Sequence, residues 1–552
     1  MNKALRWLLG RRQVDALRAC LAAATSRASA RSARDNEHPN ESRERPHPYG
    51  QLEDLRHHGL LLMPEEDTAF TTLCRWQKLV LLVMTLAVVV SLIERPLATL
   101  VICNTAGVFG YLVIVAFRFY TVLCGARLSD HTPARSPGGP DELRLLGEDR
   151  TLPLYTILCP LYREAETVDQ FLQGMVKLDY PFDKLDIRLL LEEDDLETQI
   201  AARAAKERLG NCSEVQLVIV PNAPPKTKPK ACNYGLQGAR GEYVVIFDAE
   251  DIPEPDQLKR ALAAFRRLPD DTGCVQAKLN YFNPTQNLLT RFFTAEYSMW
   301  FDLFLPGLFA VGSPIPLGGT SNHFERESLS ALGGWDPFNV TEDADLGIRL
   351  ARSGYRTAII DSTTWEEANS RVGNWIRQRS RWVKGYMQVW LVAMRRPSRL
   401  LRALGPWRFF CFHATVGGTP FLLLLNPVYW GLALVWAFTA WGVVPQLFPQ
   451  PVLAISLLTG LLGNLMLIYL AIYGLIKREH YSFVPLMFLS PVYWVLQSIA
   501  AWKALYQLLA KPHYWEKTVH SLATQPTEEF DDDRVQTNLG SRRGVGIGRR
   551  AA

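Results

Sequence analysis

Apolar residues in this chain gather into long runs at its two flanks and into short, spaced runs between them. The first long runs cover 76–93 and 97–119, separated by Glu94-Arg95-Pro96. Each is long enough to cross a bilayer as a helix. Three more come late: 409–444, broken by Pro420 and Asn426-Pro427; 451–476, ending at Lys477-Arg478; and 483–509, broken at Pro491 and carrying Lys503. The pattern predicts two spans before a central region and three or four after it. Arg75, Lys78, Arg118 and Arg127 crowd the outer ends of the first pair, which puts the N-terminus and the central region on the cytoplasmic side. Lys477 and Arg478 belong on that side too, and the uncharged loop at 445–450 on the other.

Between the flanks the period changes. Short β-rich runs at 155–158, 187–191, 215–220 and 243–247 end in polar residues, and helical stretches at 164–178 and 196–209 separate them. Such alternation predicts an α/β domain over 150–370 with a mostly parallel sheet. Ligands of such sheets bind beyond the carboxyl ends of the strands. Glu192-Glu193-Asp194-Asp195 and Asp248-Ala249-Glu250-Asp251 stand at two such ends. Solvated turns are acidic too, but here both clusters follow strands of buried character. Over 371–405 aromatic and aliphatic residues recur near helical spacing with Arg and Lys interleaved, which predicts helices lying on the membrane surface.

The remaining segments read as connections. Residues 129–150 form a polar linker around Pro137-Gly138-Gly139-Pro140. Residues 1–72 are a cytoplasmic extension, partly disordered, for whose first 24 residues an amphipathic surface helix or a transit peptide are the other readings. Residues 521–552 are polar and expected to be disordered. The hairpin of spans then occupies 73–128 and the later membrane region 406–512.

Composition narrows the function. The 552 residues exceed one compact domain. A net charge of +5 is small for that length and argues against nucleic-acid binding. Nine scattered cysteines, odd in number and with no Cys-x-x-Cys, argue against a disulfide framework or zinc site and for a reducing compartment.

Several short clusters occur in a fixed order along the central region. They are Pro160-Leu161-Tyr162-Arg163-Glu164, the acids at 192–195, Lys228-Pro229-Lys230-Ala231-Cys232-Asn233 and Asp248-Ala249-Glu250-Asp251. Gly318-Gly319-Thr320-Ser321-Asn322-His323, Thr341-Glu342-Asp343 and Gln378-Arg379-Ser380-Arg381-Trp382 follow. In this order they resemble the motifs of the glycosyltransferase family 2 membrane synthases, the group that includes cellulose and hyaluronan synthases. The likeness covers roughly 150–400. Arg163 replaces an Asn, and Glu250 replaces the second Asp of Asp-x-Asp.

The resemblance implies a GT-A-type catalytic domain between transmembrane helices and an inverting transfer from a nucleotide-sugar, UDP-linked by expectation, to a growing glycan or a lipid. Asp343 is the implied general base, with Glu342 beside it. Arg381 would stabilise the departing diphosphate. Pro160, Glu164, Glu193, Asp194, Lys228, Lys230, Asp248 and Gln378 would hold the donor. Trp382, Thr320 and His323 would meet the acceptor, although a lone His is more often structural. Asp248 with Glu250 or Asp251 would hold Mg2+ or Mn2+, since hard cations take carboxylate oxygens. A helix N-terminus with acidic caps accounts equally well for 341–343, and caps and catalysis can share a carboxylate. The expected product is a β-linked exopolysaccharide of the β-glucan type, made processively and exported. A glycolipid synthase is the enzymatic alternative. A transporter would leave the acidic strand ends and 378–382 unexplained. The expected setting is multi-pass in the cell inner membrane among its lipids, with a cytoplasmic catalytic domain and a homo-oligomer or export partner.

Overall fold

The computed structural model describes residues 48–130, 137–147, 149–439 and 442–516. The chain divides after Asp54 into two units, and the elements described below belong to the second, Leu55–Ala552. The expectations for residues 1–47 and 521–552 lie outside the described residues.

The centre is one eight-stranded sheet. Its strands are β1 Tyr155–Leu161, β2 Leu185–Glu192, β3 Val215–Val220, β4 Tyr243–Ile246, β5 Ile252–Pro253, β6 Thr272–Tyr281, β7 Asn322–Glu325 and β8 Arg356–Glu366. Their spatial order is β3-β2-β1-β4-β7-β6-β8-β5. The first four run parallel. β7 is antiparallel to both of its neighbours, β6 and β8 are parallel, and β5 closes the edge antiparallel. The expected α/β sheet is therefore present but mixed, because β7 returns down its middle.

Alternation along the strands explains the layers. Ile157 and Leu189 pack in one cluster with Phe171, Leu172 and Met175 of the helix Val168–Val176. Leu158 and Leu190 point the other way, toward the helix Lys228–Gln237. That helix comes so close that a Cβ on Gly235 would stand 2.6 Å from Leu190 Cδ2. Period-two side chains with helices on both faces make the near-continuous apolar runs of a doubly covered sheet. Because β3, β2, β1 and β4 are parallel, their carboxyl ends open at one edge.

Among the described residues, five helices are long and apolar enough to cross a membrane: Arg75–Glu94, Pro96–Arg127, Pro397–Thr439, Gln450–Lys477 and Tyr481–Ala510. Two precede the sheet and three follow it. The expected break at Pro420 and Asn426-Pro427 is absent, because the helix Gly418–Thr439 runs through both prolines, and the irregularities fall at Gly405, at the π-turns His413–Gly417 and Thr459–Gly463, and before Pro491. Gly405 departs from helical backbone before Pro406, and Tyr481–Leu489 winds as a 3-10 helix before the α-helix Ser490–Ala510. The second of these helices packs against the helix Leu305–Ala310 through small residues. A Cβ on Gly125 would stand 2.8 Å from the Gly307 nitrogen.

One expectation changes. The helix Val372–Ala393 does not lie on a surface: Ser380, Lys384 and Gln388 are all 0% exposed. Its polar residues are buried because they have partners. Lys384 Nζ donates to the Tyr514 carbonyl at 2.6 Å and Gln388 Nε2 to the Pro512 carbonyl at 2.9 Å. Amphipathic periodicity shows that a helix has two faces, and only tertiary partners decide whether the polar face meets water or protein. Lys503, the odd charge in the last span, pairs with Glu516 at 2.7 Å.

Candidate active site

A cavity of about 600 Å³ opens at the carboxyl ends of the parallel strands and continues between the membrane-length helices. Pro160 and Glu164 reach it from the end of β1, and Asp248 and Glu250 from the turn after β4. Lys228 enters from the first turn of its helix, Glu342 and Asp343 from the start of the helix Glu342–Arg352, and Gln378, Arg381 and Trp382 from the buried helix Val372–Ala393.

The charges interlock. Lys228 Nζ hydrogen-bonds Asp248 Oδ1, and also the Gly319 carbonyl at 2.8 Å. Burial alone would lower the Lys228 pKa, but the Asp248 carboxylate that it hydrogen-bonds overcomes this and holds the ammonium charged. Burial, then the charge of Asp343, pushes Glu342 up to about 8. Burial also raises Asp343, while the Ala344 amide at 2.8 Å from Oδ1, Lys228 and Arg381 pull it back. Asp343 and Glu342 also lie in the first turn of their helix, where the dipole favours negative charge. The acids are thus capping residues and cavity residues together. Arg381 lies over the Trp515 ring at 4.5 Å, and Glu342, Asp343 and Asp248 are the acids nearest its charge.

Other expected site residues sit elsewhere. His323 is 0% exposed in β7, its Nδ1 2.8 Å from the Tyr155 hydroxyl and its Nε2 3.3 Å from Gln257 Oε1. Burial pushes its pKa down to about 3, so it is a neutral core residue and not an acceptor contact. Thr320 is also buried, donating to the Ile246 carbonyl at 3.0 Å. Lys230 is buried in an ion pair with Glu192 at 2.8 Å and does not line the cavity. Glu193 and Asp194 turn outward, the first accepting from the Asn222 amide at 3.0 Å and the second paired with Lys226. Glu192, one residue earlier, lines the cavity in their place. Asp251 lies one layer deeper, accepting from the Asp248 amide at 2.7 Å and hydrogen-bonded to the Thr320 hydroxyl, so it positions Asp248 from below.

The cavity also holds groups that the sequence did not single out. Glu366 lines it from the end of β8, pushed well up by burial and by Asp251, Asp248 and Glu250. Trp515 comes from beyond the last helix. Arg379 is clamped by Glu296 through two hydrogen bonds of 2.7 Å and lies 4.8 Å from the Trp382 ring. It is the support under the indole. Glu366 ends a β-rich run and had a signal of the same kind as Asp248. The others depend on contacts between distant segments.

For a cation, the described residues hold no group of three His, Cys, Asp or Glu arranged as a cage. Asp248 and Glu250 both face the cavity. Two carboxylates completed by phosphate oxygens are a donor set that suits magnesium or manganese, so the residues present fit such an ion.

Helix spacing supplies a test of the geometry. A Cβ on Gly385 would stand 2.7 Å from the Thr341 Cβ. Glycine lets the helix of Arg381 touch the segment that carries Asp343. Gly385→Ala is expected to lose about 1–3 kcal/mol of stability through overpacking, and turnover should fall tenfold or more, since small misplacements cost about 10² in rate. Thermal melting and turnover on one preparation check it, and wild-type turnover would show that the spacing is irrelevant.

Two family models match the chain. "Glycosyl transferase family 2" matches residues 156–319, and "Glycosyl transferase family group 2" matches residues 243–509. "Probable glycosyltransferase YdaM" of Bacillus subtilis (strain 168) is 28% identical over 269 residues, covering 48% of this chain and 63% of that one. "Probable glucomannan 4-beta-mannosyltransferase 7" of Oryza sativa subsp. japonica is 28% identical over 265 residues, covering 45% and 42%. The chain therefore spans less than two thirds of either relative. Among solved structures, mannosyltransferase PcManGT from Pyrobaculum calidifontis in complex with GDP-Man and Mn2+ is 21% identical, covering 74% of this chain and 99% of that one with a TM-score of 0.44. S. aureus TarS 1-349 is 12% identical, covering 66% and 93% with a TM-score of 0.33. The two matches to glycosyltransferase family 2 models together run across residues 156–509, and both relatives carry the name of a glycosyltransferase or mannosyltransferase.

Proposed function

We propose that the chain is an inverting membrane glycosyltransferase that builds a β-linked polysaccharide from a nucleotide-sugar, processively and with export. One observation carries the reading: phosphate-binding cations, a carboxylate base and an aromatic platform share a single cavity that runs on between membrane-length helices. The name of the rice relative, a glucomannan 4-beta-mannosyltransferase, supports a β-linked product. The catalytic domain is of the GT-A type and faces the cytoplasm, the side to which the basic flanks orient it.

In this mechanism the acceptor hydroxyl oxygen attacks the anomeric carbon. The bond from that carbon to the diphosphate oxygen breaks, and the nucleoside diphosphate leaves. The hydroxyl proton passes to Asp343, because its neighbour Glu342, at a pKa of about 8, already holds a proton near neutral pH. Lys228 and Arg381 meet the phosphate charge as it develops. Trp382 offers a ring face to the acceptor sugar, held in place by Arg379 beneath it. Asp248 and Glu250 would hold a divalent cation, which supplies Lewis-acid neutralisation of the diphosphate.

The decisive experiment incubates the purified protein in lipid with several nucleotide-sugars and magnesium or manganese, then digests the product with linkage-specific glycosidases. Release of the expected nucleoside diphosphate without a β-glycosidase-sensitive product would remove the polymer reading. Asp248→Ala is expected to weaken nucleotide-sugar binding only when the cation is present, and chelation should have the same effect on the wild type. Full activity after chelation would take the cation out of the site. A glycolipid product remains the second reading, favoured by the apolar walls at the helix end of the cavity.

A further inference from the structure

The part of the cavity between the helices contains a charge that the transfer does not use. Arg118 lies on the second membrane-length helix and lines the cavity. Its guanidinium donates to the Thr419 hydroxyl at 2.7 Å, and its Nε is buried without a hydrogen-bond partner. Among the described residues no carboxylate forms an ion pair with it. The nearest acid in this part of the cavity, Glu296, is already bound by both arms of Arg379, by the Tyr493 hydroxyl at 2.6 Å and by Gln497 at 3.2 Å. Two guanidiniums and one carboxylate leave one positive charge uncompensated.

Its depth is informative. Arg118 stands about 33 Å along the helix from Pro96 at about 1.5 Å per residue, close to the thickness of a hydrocarbon core of about 30 Å. Gly125, further along the same helix, touches the helix Leu305–Ala310 at Gly307. Arg118 therefore sits at the domain end of the bundle, at the level of lipid headgroups. The walls beside it are apolar, with Leu422, Leu423, Leu467 and Met487 among them. Tyr386 lines the same cavity, within reach of the charges of both Asp343 and Arg118. At headgroup level a guanidinium facing a cavity without a carboxylate partner suits a phosphate.

Resting on the glycolipid form of the glycosyltransferase reading above, we infer that the helix end of the cavity is an acceptor subsite for a phosphate-bearing lipid. Its phosphate is held by Arg118, its apolar chain lies between the helices, and its sugar or polyol hydroxyl reaches Asp343 and Trp382. The phosphate is not consumed in the transfer. Two kinds of lipid share this chemistry: a phosphoinositide-type phospholipid and a polyprenyl pyrophosphate carrying a sugar. A neutral glycan or diacylglycerol would leave the charge of Arg118 unmet.

The test uses the full chain in phosphatidylcholine nanodiscs and has two arms. In the first, native mass spectrometry without donor measures binding of phosphatidylinositol, of a polyprenyl pyrophosphate sugar and of diacylglycerol. In the second, nucleotide-sugar turnover is measured with each lipid and with a free β-linked oligosaccharide. The expected result is that one phosphate-bearing lipid binds and accelerates turnover, and which one identifies the source. Arg118→Gln should raise the KM for that lipid about tenfold or more, the worth of a charge-assisted contact, with nucleotide affinity unchanged and Arg118→Lys partly restoring it. Equal binding of diacylglycerol, equal turnover on the free oligosaccharide, or an unaltered lipid KM in Arg118→Gln would overturn the subsite. If a phosphate-bearing lipid binds through Arg118 but no nucleotide-sugar is turned over, the subsite stands and the transferase reading fails.

Discussion

Asp343→Asn is expected to lower turnover by about 10²–10⁴ while nucleotide-sugar affinity stays at the wild-type level. The amide matches the carboxylate in shape and can still accept from the Ala344 amide, which now bonds Oδ1 at 2.8 Å. Packing at the helix start is therefore kept, and what is lost is a proton acceptor. Oδ2 faces Gly319, whose missing side chain leaves this oxygen open to the cavity: a Cβ there would stand 3.5 Å from it. The alternative base is Glu342, and its surroundings oppose it. Burial and the Asp343 charge raise it to about 8, so near neutral pH it carries the proton that a base must lack. In Asp343→Asn that repulsion disappears and the Glu342 pKa falls. A slow residual rate with a rising limb at lower pH would be the signature of Glu342 standing in. Isothermal titration with the nucleotide and steady-state turnover on one preparation separate the two effects. Wild-type turnover in the variant would remove Asp343 from the mechanism and leave its carboxylate a helix cap.

The expectation of Asp343 as the base rests on the resemblance of Thr341-Glu342-Asp343 to the family motif, and what the sequence shows locally is where such acids stand. The acids at 341–343 precede an amphipathic helix, and the acids at 192–195 and 248–251 follow short β-rich runs. Local signals fail where a residue's surroundings come from elsewhere in the chain. Strand β7, Asn322–Glu325, is polar and short, yet it is buried at the middle of the sheet between β4 and β6. Nothing nearby in sequence shows that Tyr155 and Gln257 will close around His323. The assignment of Glu193 and Asp194 missed by a single residue. Side chains alternate at a strand end, so a shift of one exchanges the inner face for the outer, and Glu192 with its buried Lys230 takes the inner place. The basic helix at 372–393 was legible as a helix and not as a buried one. Its cover comes from Pro512, Tyr514 and Glu516, more than a hundred residues on.

Arg381→Ala should produce the other large loss, and it should move the pH profile as well as the rate. Arg381 is held from outside by the Trp515 ring at 4.5 Å. Its Nε is buried with no hydrogen-bond partner, so donor capacity remains for the oxygens of a leaving diphosphate. Removing one preorganised donor to a developing charge costs about 10²–10³ in rate. The second effect follows from its neighbours. The Arg381 charge is among the influences that lower the Glu342 and Asp343 pKa values against burial. Without it both rise further. Asp343 is active when deprotonated, so a higher pKa keeps it protonated up to a higher pH, and the acid limb of turnover against pH shifts upward. Arg381→Lys keeps a charge and should retain most of the limb's position, while losing rate because a point charge cannot make the forked contact of a guanidinium. A loss of rate in Arg381→Ala with the acid limb unmoved would mean that Arg381 acts on the donor alone, with no influence on the base.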